Sequence, residues 1–220
     1  MWFLQHNLSF SDILMRLLAC VIIILVVLPL HEYAHGFVAY KLGDKTAKYS
    51  GRLTMNPLYH VDPIGALGIF LFGFGWAKPV PVDARNFKNP KSGMAITALA
   101  GPASNLLAAL IGGFLINLVA HFALSWPLAI LNATLIFLQY YISINIGLAV
   151  FNLIPIPPLD GSKILEAFLP DRIIYKYARY QNIFMLILLA LIFLGILTGP
   201  LSYIQYWIYR GIINFTGLIF

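Results

Sequence analysis

The amino-acid sequence predicts an all-helical, polytopic membrane protein with about five transmembrane helices. Of its 220 residues, 60% are hydrophobic and only 10% are charged, whereas an ordinary soluble domain is roughly 45 to 50% apolar and about 25% charged. The hydrophobic residues are concentrated in long runs, which is the pattern of helices that cross a bilayer. This composition excludes a soluble globular enzyme, and the single cysteine, Cys20, excludes an intrachain disulfide.

The first predicted helix extends from Leu17 to Tyr40 and is followed by a basic loop over residues 41–92. The helix would be roughly 36 Å long, enough to cross a hydrocarbon core of about 30 Å. Within the loop, Ile64 to Gly75 is apolar and rich in glycine, but as a helix it would reach only roughly 18 Å. We therefore expect a short re-entrant segment or a β-hairpin after the first helix.

Four further hydrophobic runs complete the predicted topology: Gly93 to Val119, Leu128 to Phe151, Ile183 to Leu197 and Leu201 to Phe220. The first of these is rich in small residues, which let membrane helices approach closely. The last is either a fifth span, which we favour, or an interfacial helix. No internal repeat or separate soluble domain is visible, so residues 1–220 are expected to form one integral-membrane domain.

Lysine and arginine residues determine the predicted orientation. The loops over residues 41–92 and 152–181 are strongly basic, whereas the turn over 121–127 contains neither lysine nor arginine. Basic loops face the cytosol, so the N-terminus is expected outside. The formal net charge of +6 then follows from topology, and no nucleic-acid partner is expected.

The first predicted helix contains a pattern typical of a catalytic zinc site. His31-Glu32-Tyr33-Ala34-His35 is an H-E-x-x-H sequence. Histidines four residues apart lie one turn apart on the same helix face and can bind one Zn²⁺, and a glutamate beside them can take a proton from water. The alternative is a structural role, in which hydrogen bonds inside a helical bundle satisfy the two histidines and the glutamate. Ionisable residues within a membrane span are, however, energetically costly and usually functional.

Catalytic zinc needs a third protein ligand, and Asp160 is the leading candidate. It lies in the proline-rich stretch over residues 155–161, at the same membrane end as the histidines. Gly161 would permit a sharp turn that aims the carboxylate inward. The alternative is that Asp160 only caps a helix that starts near Ser162.

Three motifs together resemble the site-2 protease family of intramembrane zinc metalloproteases (peptidase family M50), in a small form without PDZ or CBS domains. They are the histidine motif, Gly101-Pro102-Ala103-Ser104-Asn105, and Asn152-Leu-Ile-Pro-Ile-Pro-Pro-Leu-Asp160-Gly161. The resemblance covers roughly residues 15–170 and implies a three-helix catalytic core, with residues 183–220 as accessory helices.

The resemblance also implies specific roles for the motif residues. One zinc ion per chain would be held by His31, His35 and Asp160. Glu32 would act as the general base, and Asn152 would orient the substrate or stabilise the oxyanion. Hydrolysis of a peptide bond by metal-activated water is the expected reaction.

The expected substrates follow from the same resemblance, and the expected orientation follows from the basic loops. We expect membrane-protein or signal-peptide substrates, as in regulated intramembrane proteolysis, in a prokaryotic plasma membrane with the active site towards the cytosolic side. Asn105 could line the substrate cavity and His60 could be a gate residue, although helix packing and a structural loop role are the respective alternatives. The sequence does not determine the oligomeric state.

Two other classes of protein remain open at this stage. A zincin of the CAAX-processing type would use a glutamate as its third ligand, and Glu166 is the residue left to supply it. The chain could also be an inactive membrane scaffold or a metal-binding transporter. The intact Glu32 argues against an inactive scaffold, and the lack of a visible inverted repeat argues against a transporter.

Overall fold

The computed structural model describes residues 9–72, 75–123 and 125–219. Their regular structure is helical, and the only β-type pairing among them is an isolated antiparallel bridge between Val61 and Ala77. The predicted all-helical class is confirmed.

Within the described part of the chain, three helices are long and apolar enough to cross a membrane: α1 (Phe10–Lys41), α5 (Pro90–Phe122) and α6 (Leu128–Asn152). Helix α1 begins seven residues before the predicted Leu17, because Ser9 and Asp12 form a capping box at its first turn. These helices correspond to the three predicted for the catalytic core. The expected count of five spans is not confirmed.

Shorter helices occupy the two basic loops and the C-terminal part of the chain. They are α2 (Thr46–Tyr49), α3 (Pro57–His60), α4 (Pro63–Phe72), α7 (Asp160–Glu166), α8 (Asp171–Arg179), α9 (Gln181–Phe193) and α10 (Thr198–Gly217). Helix α4 accounts for most of the apolar segment expected over residues 64–75, of which residues 73 and 74 lie outside the described residues. An extended segment follows from residue 75. The expected β-hairpin is therefore not confirmed.

Helix α1 contains a π-helical turn, Ile23–Val27, immediately before Leu28 and Pro29. Proline has no N–H to donate to the preceding turn, and a local widening of the helix is one way to accommodate it. Pro29 is completely buried, so the irregularity lies inside the bundle. Three residues separate the end of the π-helical turn from His31, where the H-E-x-x-H sequence begins.

The core forms where α6 packs against both α1 and α5. One cluster joins Ile23 and Val27 of α1 to Leu148 of α6. A second cluster joins α5 and α6, where a Cβ atom on Gly112 would lie only 2.7 Å from Ile142. The close approach of these two helices therefore depends on a residue without a side chain.

Helix α10 packs along α5 and α6. The Asn117 side-chain amide on α5 donates to the carbonyl of Ile213 (3.0 Å) and to the hydroxyl of Thr216 (2.8 Å) on α10. Near its other end, Gln205 lies beside Gly147 of α6. Interhelical hydrogen bonds of this kind hold membrane helices together.

Candidate metal centre

Two histidines from α1 and an aspartate from α7 meet at one point. The Nε2 atoms of His31 and His35 are 3.0 Å apart, and each lies 3.3 Å from Oδ2 of Asp160. In a tetrahedral zinc site with ligand distances of about 2.0 to 2.1 Å, ligand atoms are about 3.3 to 3.4 Å apart. Within the described part of the chain, the buried Asp160 Oδ2 has no hydrogen-bond partner. The two separations to Asp160 match the tetrahedral spacing and the one between the histidines is slightly shorter, so the three donor atoms are close enough to hold one zinc ion.

The second nitrogen of each histidine ring faces an acceptor on α5. Nδ1 of His35 lies 2.7 Å from the carbonyl oxygen of Thr97, and Nδ1 of His31 lies 3.3 Å from Oδ1 of Asn105. An acceptor at Nδ1 places the ring proton there and leaves the Nε2 lone pair directed at the metal position. Thr97 was not identifiable from the sequence, since it contributes a backbone carbonyl that no side-chain pattern reveals.

Asp160 is the first residue of α7, and its carboxylate is directed at the histidines. The N-cap residue of α7 is Leu159, and no side chain caps this helix. Burial opposes ionisation of Asp160, but the interactions with His31 and His35 lower the pKa of its carboxyl below the usual value. The geometry therefore does not support a role limited to helix capping.

Gly161 has a different role from the expected sharp turn. It lies within α7 and does not have a positive φ. A Cβ atom there would collide with the carbonyl oxygen of Leu153 and would lie 2.6 Å from that of Ile154. Glycine is needed because the backbone of α7 packs directly on the end of α6, which brings Asp160 to the histidines.

The candidate general base, Glu32, is held by the extended segment that follows α4. Its Oε2 accepts a hydrogen bond from the Val80 amide at 2.8 Å, and only 8% of its surface is exposed. This contact was not predictable from the sequence, because the donor is again a backbone group. Glu32 is therefore fixed beside the histidines by a residue 48 positions away.

Asp44 fastens the same extended segment to the end of α1. Its carboxylate accepts hydrogen bonds from the Asp83 amide and from the side-chain amide of Asn86, both at 2.8 Å. Burial raises the pKa of Asp44, but these hydrogen bonds and those from Thr46 lower it more, so the net change is downward. The ionised side chain links the two ends of the loop that carries Val80.

A cavity of about 300 Å³ opens beside the three candidate ligands. Glu32, Asn152 and Asp160 contribute polar groups to its wall, and the rest is largely apolar, including Trp76 and Leu188. The amide of Asn152 donates to the Leu148 carbonyl at 3.0 Å. The cavity offers an apolar chamber with a few polar groups at one end, as binding sites commonly do.

The other residues singled out from the sequence lie away from this cavity wall. Asn105 is fully buried behind His31, and His60 is fully buried with its Nε2 2.7 Å from the carbonyl oxygen of Thr54. Glu166, the alternative third ligand, forms an ion pair with Lys163 at 2.9 Å and does not join the ligand cluster. The structure thus places His31, Glu32, His35, Asn152 and Asp160 at the cavity, brings Asn105 into contact with His31, and leaves His60 apart from them.

Gly101 on α5 faces both histidines and was not identified as a site residue from the sequence. A Cβ atom at this position would collide with Nε2 of His31 and of His35.

We expect Gly101→Ala to lower zinc affinity by about 10-fold or more, the effect typical of disturbed ligand support. Titration with a fluorescent zinc chelator would measure it. Gly211→Ala, where a Cβ would meet nothing within 4 Å, is the control, and equal affinity in the two variants would contradict this reading.

Comparisons with known proteins identify a family for the chain. Residues 124–195 match the family model "Peptidase family M50". The chain is 42% identical over 171 residues to the candidate zinc metalloprotease YwhC of Bacillus subtilis, covering 78% of each chain. It is 30% identical over 201 residues to the candidate zinc metalloprotease Rip2 of Mycolicibacterium smegmatis, covering 88% of this chain and 72% of the relative.

A more distant relative is the candidate zinc metalloprotease MJ0611 of Methanocaldococcus jannaschii, 27% identical over 147 residues, which cover 66% of this chain and 72% of the relative. No solved structure matches the chain significantly. The match to YwhC extends over most of both chains, and the resemblance inferred from the motifs is therefore confirmed. The chain belongs to peptidase family M50, the site-2 protease family.

Proposed function

We propose that this protein is a zinc metalloendopeptidase that cleaves peptide bonds of transmembrane or membrane-anchored proteins. The observation that carries the proposal is the meeting of the donor atoms of His31, His35 and Asp160 within 3.0 to 3.3 Å of one another beside Glu32. The names of the relatives, candidate zinc metalloproteases, support the choice of zinc. One ion per chain would occupy the position defined by the three ligands.

Zinc bound at this position would supply Lewis-acid chemistry, since it makes water more acidic and polarises a carbonyl group. Glu32 accepts the proton of the attacking water and returns it to the nitrogen of the leaving amine. The Val80 amide keeps the carboxylate of Glu32 directed into the cavity. Asn152 lies on the cavity wall and serves as a hydrogen-bond donor to the peptide being cleaved.

In this proposal, Asn105 and His60 position other residues and do not contact the substrate. Asn105 positions His31 by accepting the Nδ1 proton. His60 supports the extended segment, because its carbonyl accepts a hydrogen bond from the Lys78 amide at 2.7 Å. Both residues act through their neighbours rather than through the substrate.

The site lies at the level of the membrane helices, which supports membrane-embedded substrates. His31 and His35 belong to α1 and Asn152 ends α6, both candidate spans. The charge asymmetry of the loops supports a cytosolic location for this end of the bundle and an external N-terminus. We place the protein in a prokaryotic plasma membrane, with residues 1–220 forming a single peptidase domain.

Helix α10 is proposed as a further span. Its 20 residues reach about 30 Å, and it contacts α5 and α6 along their length through Asn117 and Gly147. Helix α9 has 13 residues, only about 20 Å, so a complete crossing there stays a prediction. The proposed re-entrant segment comprises α4 and the extended chain that reaches Val80.

Reconstitution into lipid vesicles tests the function. The purified protein would be mixed with a panel of tagged single-pass reporter proteins, some with transmembrane segments taken from signal peptides. We expect cleavage of at least one reporter, complete inhibition by 1,10-phenanthroline and recovery on addition of zinc. The non-chelating isomer 1,7-phenanthroline is the matched control. Cleavage that survives removal of the metal would contradict the proposal.

A further inference from the structure

A second, polar groove lies between α6 and α10. Its volume is about 310 Å³, and six polar side chains line it: Gln139, Ser143, Ser202, Gln205, Tyr206 and Tyr209. Each residue of an α-helix advances by about 100°, so Ser143 and Asn152, nine positions apart, face opposite directions. The groove is therefore on the other side of α6 from the metal centre.

The polar residues of α6 lie near the middle of a candidate membrane span. Helix α6 extends from Leu128 to Asn152, and Gln139 is close to its midpoint. Gln139 and Ser143 are both exposed in the single chain. Amide and hydroxyl groups in the centre of a bilayer are normally turned towards another helix, because hydrocarbon offers them no hydrogen bonds.

The chain itself satisfies few of these groups. The Ser202 hydroxyl bonds within its own helix, and the Tyr206 hydroxyl accepts a hydrogen bond from Arg210 at 3.2 Å. No described residue is hydrogen-bonded to the side chains of Gln139, Ser143 and Gln205. None of the six lining side chains is charged, so the groove suits a neutral partner rather than an ion.

We propose that this groove is the interface between two copies of the chain within the membrane. Amide and hydroxyl groups each donate and accept hydrogen bonds, so identical sets of side chains on two copies can pair across a two-fold axis. Ser143 is small and exposed on α6, which allows a second helix to approach closely there. The proposal relies on α10 lying in the membrane and is independent of the peptidase reaction.

The test measures self-association of the full chain in vesicles of phosphatidylethanolamine and phosphatidylglycerol. Energy transfer between donor-labelled and acceptor-labelled copies would be followed as the ratio of protein to lipid changes. We expect the double variant Gln139→Leu/Gln205→Leu to lower the association constant roughly 10-fold or more. Asn214→Leu removes an exposed amide nine positions from Gln205, on the opposite face of α10, and should leave association unchanged.

Zinc content verifies folding, because the groove variants are remote from the ligands and should retain the metal. Crosslinking gives a second measurement in a Cys20→Ala background. Ser143→Cys should give a dimer with a short bismaleimide reagent, whereas Leu107→Cys, on an exposed part of α5, should not. A wild-type chain that stays monomeric, or association unaffected by the groove variant, would overturn the proposal. So would crosslinking of Ser143→Cys in native membranes only to a protein of another mass.

Discussion

Replacement of Asp160 by alanine should remove most of the bound zinc. The variant leaves only His31 and His35 as protein ligands, whereas catalytic zinc sites use three protein ligands. We expect about one zinc per chain in the wild-type protein and at least about a tenfold lower content in Asp160→Ala. Elemental analysis of protein purified in detergent without chelators would measure the ratio.

Glu166→Ala is the matched control for this measurement. Glu166 also belongs to α7, but it pairs with Lys163 and lies outside the ligand cluster. Its removal should leave the zinc content unchanged. If Glu166→Ala lost the metal and Asp160→Ala kept it, the third ligand would be the glutamate expected of a CAAX-type zincin.

Glu32→Gln should separate metal binding from catalysis. The amide has almost the same shape as the carboxylate but cannot accept the proton of water, and the three zinc ligands are unchanged. We expect normal zinc content with a loss of peptidase activity of about 10² to 10⁴-fold, the usual contribution of a general base. Cleavage of a reporter in vesicles and elemental analysis of the same preparation would give both quantities.

Glu166→Gln, the same substitution at the other glutamate of the chain, should retain activity. A Glu32→Gln preparation that still cleaved at the wild-type rate would exclude Glu32 as the base. Loss of zinc together with activity would show that Glu32 supports the metal instead.

The meeting of the three candidate ligands was predictable from the sequence because each of them is a side chain with a distinctive context. The spacing of His31 and His35 fixes them on one helix face, and the proline-rich stretch before Asp160 restricts how that residue can be presented. The first residue of α1 was less predictable, because the capping box at Ser9 extends the N-terminal end of the helix beyond its most apolar residues. Local polar contacts, rather than hydrophobicity, determine that end.

The supporting contacts were not predictable for a different reason. Thr97 and Val80 contribute backbone groups, and any residue except proline could have supplied the amide of Val80. Gly101 has no side chain, and its importance comes from the space that it leaves for the two histidines. Such contacts depend on how distant segments pack, which neither periodicity nor composition records.

The hydrogen bond between Val80 and Glu32 makes the position of the candidate base depend on a different segment from the positions of the histidines. The partners of His31 and His35, Thr97 and Asn105, belong to α5, whereas Glu32 depends on a loop fastened by Asp44. A change in that loop would remove the hydrogen bond that positions Glu32, whereas the hydrogen bonds that position the two histidines would remain. A variant with such a change in the loop would still bind zinc but would not cleave peptide bonds. Zinc content alone is therefore a poor measure of the fraction of active protein.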